Sequence, residues 1–437
     1  MIFFLLMASV STLFFLRSGL SVLRSRFLPT VDLAVIVTWY YTVPLAIFGY
    51  FRYNPDGRVF LHAAAMDPAI ATQSMEYCVI AILALVGGQA IGRSMGAARI
   101  ETFFRVDPAG EMRARLAFLG LIGLIGVGII QFGIAQFLQG YATESDLQGA
   151  TLGIALVYFA VGSLGLVIAY ALLLHRVTGR RSLLFLMLLA VLCALAVLLI
   201  RAKRLEIVTM LLPAIILLLA GRSTLKVTAS RLALGAVVIL GLIAVSVIRV
   251  GDKFDLSTLS FYFLSEGLYA GHSLPGIIAW LNANMIDYEN GFRFVSSLLA
   301  FVPRFLWPEK DEIVYAGNAA LQDISPLGAT SILTEIVLQG GAVAVLLCYG
   351  LMGLVFQRTA QFETVWDEAM AAGYIPRRFI AYLVLTAIFV PHFRDGIIPA
   401  IKLTLQAGVF MILLVGLQSL RAPRGSQPAH TVHGEVA

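Results

Sequence analysis

The sequence predicts an all-α, polytopic membrane protein, one membrane domain of about eleven transmembrane helices over residues 1–420, and three observations carry that prediction. Hydrophobic residues make up 59% of the 437, and charged residues only 13%. A soluble domain of this size needs far more charge to cover its surface. Mean hydropathy is +0.90. The apolar residues also gather into runs of about 20, the length at which a helix crosses the hydrocarbon of a bilayer.

In chain order the runs fall at about 1–16, 31–51, 77–92, 116–138, 151–174, 183–200, 207–221, 232–249, 330–356, 379–392 and 397–420. The first has no basic segment before it and no small-residue cleavage site, and Arg17 follows it directly, so it reads as a span and not as a signal peptide. In the third, the glycines of LVGGQAIG read as a helix-packing surface. Cys78, Cys193 and Cys348 all fall inside apolar runs, which suggests neither a disulfide framework nor a thiolate metal site. No His/Asp/Glu spacing specifies a metal, and no phosphate-binding loop or nucleophile elbow is present. Between the eighth and ninth runs lies one large loop, 250–329, and the last residues, 421–437, read as a disordered tail.

Orientation follows from lysine and arginine. Alternate loops hold 19 of the 31 basic residues, from Arg17, Arg24 and Arg26 through to Arg421 and Arg424. The positive-inside rule puts those loops and the tail in the cytoplasm, and the large loop on the extracytoplasmic face. The net charge of +6 acts through this sidedness, and no soluble basic domain exists to bind nucleic acid.

Basic residues on the outer side then need a reason. Arg201, Lys203 and Arg204 lie in the short turn RAKRLE. Arg249, Lys253, Arg293, Arg304 and Lys310 lie in the large loop, and Arg394 and Lys402 lie in FRDGIIPAIK at the start of the last run. Taken singly, each reads as a snorkelling residue or a structural pair, such as Arg394 with Asp395. Three clusters closing on one side favour a shared anionic ligand, because guanidinium groups grip phosphate oxygens in a bidentate fork.

The large loop also carries aromatic residues, among them Trp280, Trp307 and Tyr315, which suit an interfacial belt or a groove for sugar rings. His272 and Glu266 are acid–base candidates, with a plain hydrogen-bonding role as the alternative. Glu335, in LTEIVLQGG, falls inside the ninth run, where an isolated carboxylate is costly. Pairing with an arginine and a chemical role are both open to it. FVPRFLWPEK, broken by Pro303 and Pro308, cannot continue a membrane helix and reads as a rigid hook at the surface.

Three stretches, PRFLWPEK, SPLGATSILTEIVLQGGAVAVL and FRDGIIPAIK, resemble those of Wzy-type O-antigen (oligosaccharide repeat-unit) polymerases, and RAKRLE is similar to an arginine-bearing segment of that family. The resemblance covers about 200–210 and 300–405, the first 180 residues matching in hydropathy alone. One family spacing, an arginine followed by glycine after a ten-residue gap, is not kept: the corresponding positions are Tyr315, after Arg304, and Leu212, after Arg201. The resemblance implies a membrane glycosyltransferase of GT-C-like architecture that moves a growing glycan from one undecaprenyl diphosphate onto a new lipid-linked repeat unit. It implies diphosphate contacts from Arg201, Arg204, Arg304, Lys310 and Arg394, and glycan contacts from Trp280, Trp307 and Tyr315. The base is then sought among Glu266, His272 and Glu335. No cofactor is called for, since arginines can carry the leaving-group charge. The implied partners are the lipid-linked glycan, the bilayer, and the chain-length regulator and flippase of the same pathway. An O-antigen ligase would use similar parts, and a transporter of the same lipid-linked glycan is the alternative outside catalysis.

Overall fold

The computed structural model describes residues 1–53, 63–96, 103–105, 109–138, 151–200, 204–219, 240, 264, 267–300, 302, 307, 309–314 and 330–415. All of the expected span at 232–249 but Leu240, the expected tail, and 37 of the 80 residues of 250–329 lie outside them. Among the described residues, seven helices are long and apolar enough to cross a membrane, and two more are apolar but shorter.

The helices used below are α1 (Ile2–Arg24), α2 (Thr30–Tyr50), α3 (Pro68–Ser94), α4 (Ala109–Phe132), α5 (Thr151–Thr178), α6 (Ser182–Ile200) and α7 (Arg204–Leu219). They continue with α8 (Ser273–Asn282), α9 (Phe292–Leu299), α10 (Ile332–Ala360), α11 (Arg377–Val384) and α12 (Ile397–Val415).

Local chemistry explains where several of these depart from the hydropathy runs. The third begins at Pro68, because the Asp67 carboxylate caps Ala69 N–H at 2.7 Å and proline suits the first helical position. The fourth starts at Ala109, carrying charged residues that pair along the helix, Glu111 with Arg115, and ends before Gly133, whose φ of 94° is left-handed. The run at 379–392 is not one regular helix: α11 passes into a π turn at Leu385–Phe389 and a 3₁₀ turn at Pro391–Arg394. Pro391 has no N–H and its ring crowds the preceding turn, which the wider π turn accommodates, with Val390 N–H bonding Leu385 O at 3.1 Å. The run read as continuous from 330 is broken within α10 at Gly340 and Gly341, the latter at φ 58°.

Two apolar cores hold the bundle. One joins α4, α5, α6, α7, α11 and the later half of α12. The other joins α1, α2, α3, α8, α10 and the start of α12. Because lipid tails are as apolar as leucine, helices in a membrane gain by close packing. The contact of α3 with α10 is of that kind: a Cβ on Gly88 would stand 2.0 Å from the carbonyl oxygen of Gly350.

Contacts between loops sort the helix ends into two groups. At one end Arg26 pairs with Asp367, Arg358 Nη1 bonds Gly96 O at 2.7 Å, and Arg180 pairs with Glu111 at 2.6 Å. There a short strand β1 (Phe103–Arg105) also pairs antiparallel with β2 (Tyr374–Pro376), Phe103 opposite Pro376. Arg176 Nη2 bonds Leu218 O at 3.3 Å, so α7 finishes at this arginine-rich end and its first residue, Arg204, lies at the other. That other end is where Phe4 stacks on Tyr50 and where Asn282 bonds Gln73.

Candidate functional site

The polar site grows from the start of α10. Ser331 caps this helix, its hydroxyl accepting from Thr334 N–H at 3.2 Å, and every residue from Ile332 to Gln339 is buried. Glu335 therefore cannot reach bulk water and must find partners inside the protein. Its Oε1 accepts from the Thr330 hydroxyl at 2.9 Å, and its Oε2 accepts from the backbone N–H of Ile397 at 2.6 Å. Arg293 Nη1 lies 3.6 Å from Oε1, with both side chains under 5% exposed.

Arg293 bridges to a second carboxylate. Its Nε is 2.7 Å from Glu289 Oε2, and its Nη2 donates to Glu289 Oε1 at 3.0 Å. Gln339 ties this pair to α10: its Nε2 donates to Glu289 Oε2 at 2.8 Å, and its Oε1 accepts from Arg293 N–H at 3.3 Å. The glycine break explains why these residues gather here. Interrupting a helix frees the carbonyls of its last turn, which need donors in a place without water. Glu289 N–H supplies one, to Leu338 O at 2.9 Å. One arginine thus sits between two carboxylates where three segments of chain meet.

Gly396 makes the approach of α12 possible. It holds φ at 88°, and a Cβ there would stand 2.2 Å from Glu335 Oε1. Just before it, His392 Nδ1 lies 2.6 Å from Asp395 Oδ2. Asp395, the neighbour expected to pair with Arg394, is paired with this histidine. On the opposite flank, the Ser273 hydroxyl bonds that of Thr334 at 2.8 Å, fixing the start of α8 against α10.

The expected site residues distribute as follows. Glu335, Arg394 and His272 lie at this end, with Arg394 half-buried and His272 fully buried one residue before Ser273. Lys310, expected to aim inward at a diphosphate, is 6% exposed, and its Nζ donates to the carbonyls of Ala300 and Val302. Trp280 is half-buried against the α2–α3–α10 core, and Trp307 is half-buried. Arg204 begins α7 at this same end. Glu266, Arg201, Arg304 and Tyr315 lie outside the described residues, as does the side chain of Arg204. Among the described residues no three His, Cys, Asp or Glu side chains come together as a metal site.

Sequence reading passed over Glu289, Thr330, Gln339, Gly396 and the His392–Asp395 pair, and treated Arg293 only as one of an outward group. The four-residue spacing of Glu289 and Arg293, and the three-residue spacing of His392 and Asp395, were available signals. Neither spacing means anything without knowing that Arg293 meets a buried carboxylate and that Asp395 directly precedes the glycine packed against it.

Fold and site together define a helical membrane protein with a buried ionic cluster at one end of its bundle. No family model matches the chain, and no curated protein or solved structure matches it either.

Proposed function

We propose that the protein polymerises undecaprenyl-diphosphate-linked oligosaccharide repeat units at the periplasmic face of a bacterial inner membrane. One observation carries the reading. Described parts of the three stretches that bear the family resemblance pack at one end of the bundle: Lys310 against Ala300 at the end of α9, and Glu335 against Ile397. That end is opposite the arginine-rich loops, as sidedness requires of a periplasmic site.

In this reading the donor glycan leaves a lipid diphosphate, and fixed positive charge aimed at that leaving group lowers the barrier. Arg394, on the turn that leads into α12, is the described residue suited to the task, with Arg201, Arg204 and Arg304 as its companions from sequence. The Arg293–Glu335 pair acts on the scaffold, by fixing α9, α10 and α12 to one another.

The test uses full-length protein in nanodiscs with lipid-linked repeat units extracted from a strain lacking the gene. Polymer should form, and Arg394→Ala should reduce its rate by about 10²–10³-fold, the cost of losing one preorganised charge contact, with the thermal midpoint unchanged. A gene deletion should leave single repeat units on the lipid. Long chains accumulating on the carrier would assign a ligase instead.

A further inference from the structure

We infer that His392, held by Asp395, is the base that takes the proton from the acceptor sugar hydroxyl. This rests on the polymerase reading, since it names the proton acceptor of that reaction.

A base must present an available lone pair within reach of its substrate. Glu335 fails on reach: each of its oxygens is already engaged by a donor from the chain, and its side chain is 4% exposed. His272 is at 0% exposure, one residue before the Ser273–Thr334 hydroxyl bond that joins α8 to α10. His392 differs in position. Its side chain is 9% exposed and its partner Asp395 is 29% exposed, so the pair stands at the border between the buried cluster and solvent.

The pair is also held still. It spans the 3₁₀ turn Pro391–Arg394 and the residue after it, with Asp395 N–H bonding His392 O at 3.0 Å. On one side Phe393 is buried in the core, and on the other Ile397 is tied to Glu335. With Asp395 accepting at Nδ1, the neutral ring carries its hydrogen on that nitrogen and keeps a lone pair on Nε2. Nε2 makes no hydrogen bond to any described residue. Arg394, between the two, is the charge proposed above for the diphosphate, so base and leaving-group contact come from one turn.

In the step, the acceptor O–H proton passes to Nε2 as the oxygen bonds the anomeric carbon of the donor. The bond from that carbon to the diphosphate oxygen breaks, and its electron pair leaves with the lipid diphosphate. The imidazolium then releases its proton to water.

The experiment compares wild type, His392→Ala, His392→Gln and Asp395→Asn as full-length proteins in nanodiscs, with lipid-linked repeat units from the gene-deletion strain. Both His392 variants should lose about 10²–10⁴-fold in kcat, the usual span for a missing general base, with KM and thermal midpoint unchanged. Added imidazole should restore part of the His392→Ala rate. Asp395→Asn should show a smaller loss, confined to kcat and insensitive to imidazole. Wild-type kcat in His392→Ala overturns the base and leaves the polymerase reading standing. Losses in both His392 variants that follow a fallen thermal midpoint, without imidazole rescue, make the residue structural and also overturn it. Wild type that joins no repeat units overturns the polymerase reading and the base with it.

Discussion

At the arginine-rich end, Arg26 meets Asp367 with the two side chains 28% and 72% exposed, and Arg180 meets Glu111 with the arginine 55% exposed. At the opposite end, Arg293 and Glu335 are 3% and 4% exposed, and each has further partners in Glu289, Thr330 and Ile397. The same chemical pair serves different ends in the two places. Exposed pairs exchange water for one another and gain little, so the arginine-rich end uses charge for sidedness and for pinning loops. A buried pair has given up its hydration, and it persists only where every lone pair is answered. The second end therefore builds a fixed frame, and the residues of the proposed chemistry stand at its edge.

Substitutions can break or sharpen this contrast. The largest effect should come from Glu335→Ala, which leaves the Thr330 hydroxyl and the Ile397 N–H without their acceptor and takes from the buried Arg293 one of its two carboxylates; loss of one member of a buried pair costs about 3–5 kcal/mol. Denaturant or thermal unfolding in detergent would measure it. A cost below about 1 kcal/mol, the value for an exposed pair, would mean the two ends do not differ as argued. Next should come Gly396→Ala. It combines a left-handed backbone, worth about 1–3 kcal/mol of strain, with a Cβ directed at Glu335. Since the clash is with the carboxylate itself, pairing Gly396→Ala with Glu335→Ala should cost less than the sum of the two, and strict additivity would remove their contact as the cause. The smallest effect should be that of Asp367→Asn, within about 1 kcal/mol and vanishing in high salt. A large, salt-independent loss there would show that the arginine-rich end also depends on its ions for stability.

Membrane character was legible because it is a local property: twenty apolar residues in a row make a membrane-length helix whatever surrounds them. Glu335 was legible too, as a carboxylate where hydropathy leaves no place for one. Its meaning was not. A structural pair and a chemical role looked alike in sequence, and the pairing with Ile397 lies 62 residues away along the chain. The partners of Lys310 were hidden for a related reason. An inward-aimed lysine looks the same in sequence whether it meets a ligand or the chain, and only the packing of α9 brings the carbonyls of Ala300 and Val302 to its ammonium. The break at Gly340 and Gly341 lay inside an apolar run that hydropathy alone reads as unbroken, since glycine is ordinary in membrane helices.

Sequence by itself determined that this chain is a bundle of apolar helices with its arginines gathered in alternate loops, because hydrophobic length and loop charge are written in consecutive residues. Tertiary structure alone decided which charges are spent on holding helices together and which stand at the edge of the cluster. That choice depends on which segments meet in a place without water, where each buried group takes whatever partner packing brings within reach.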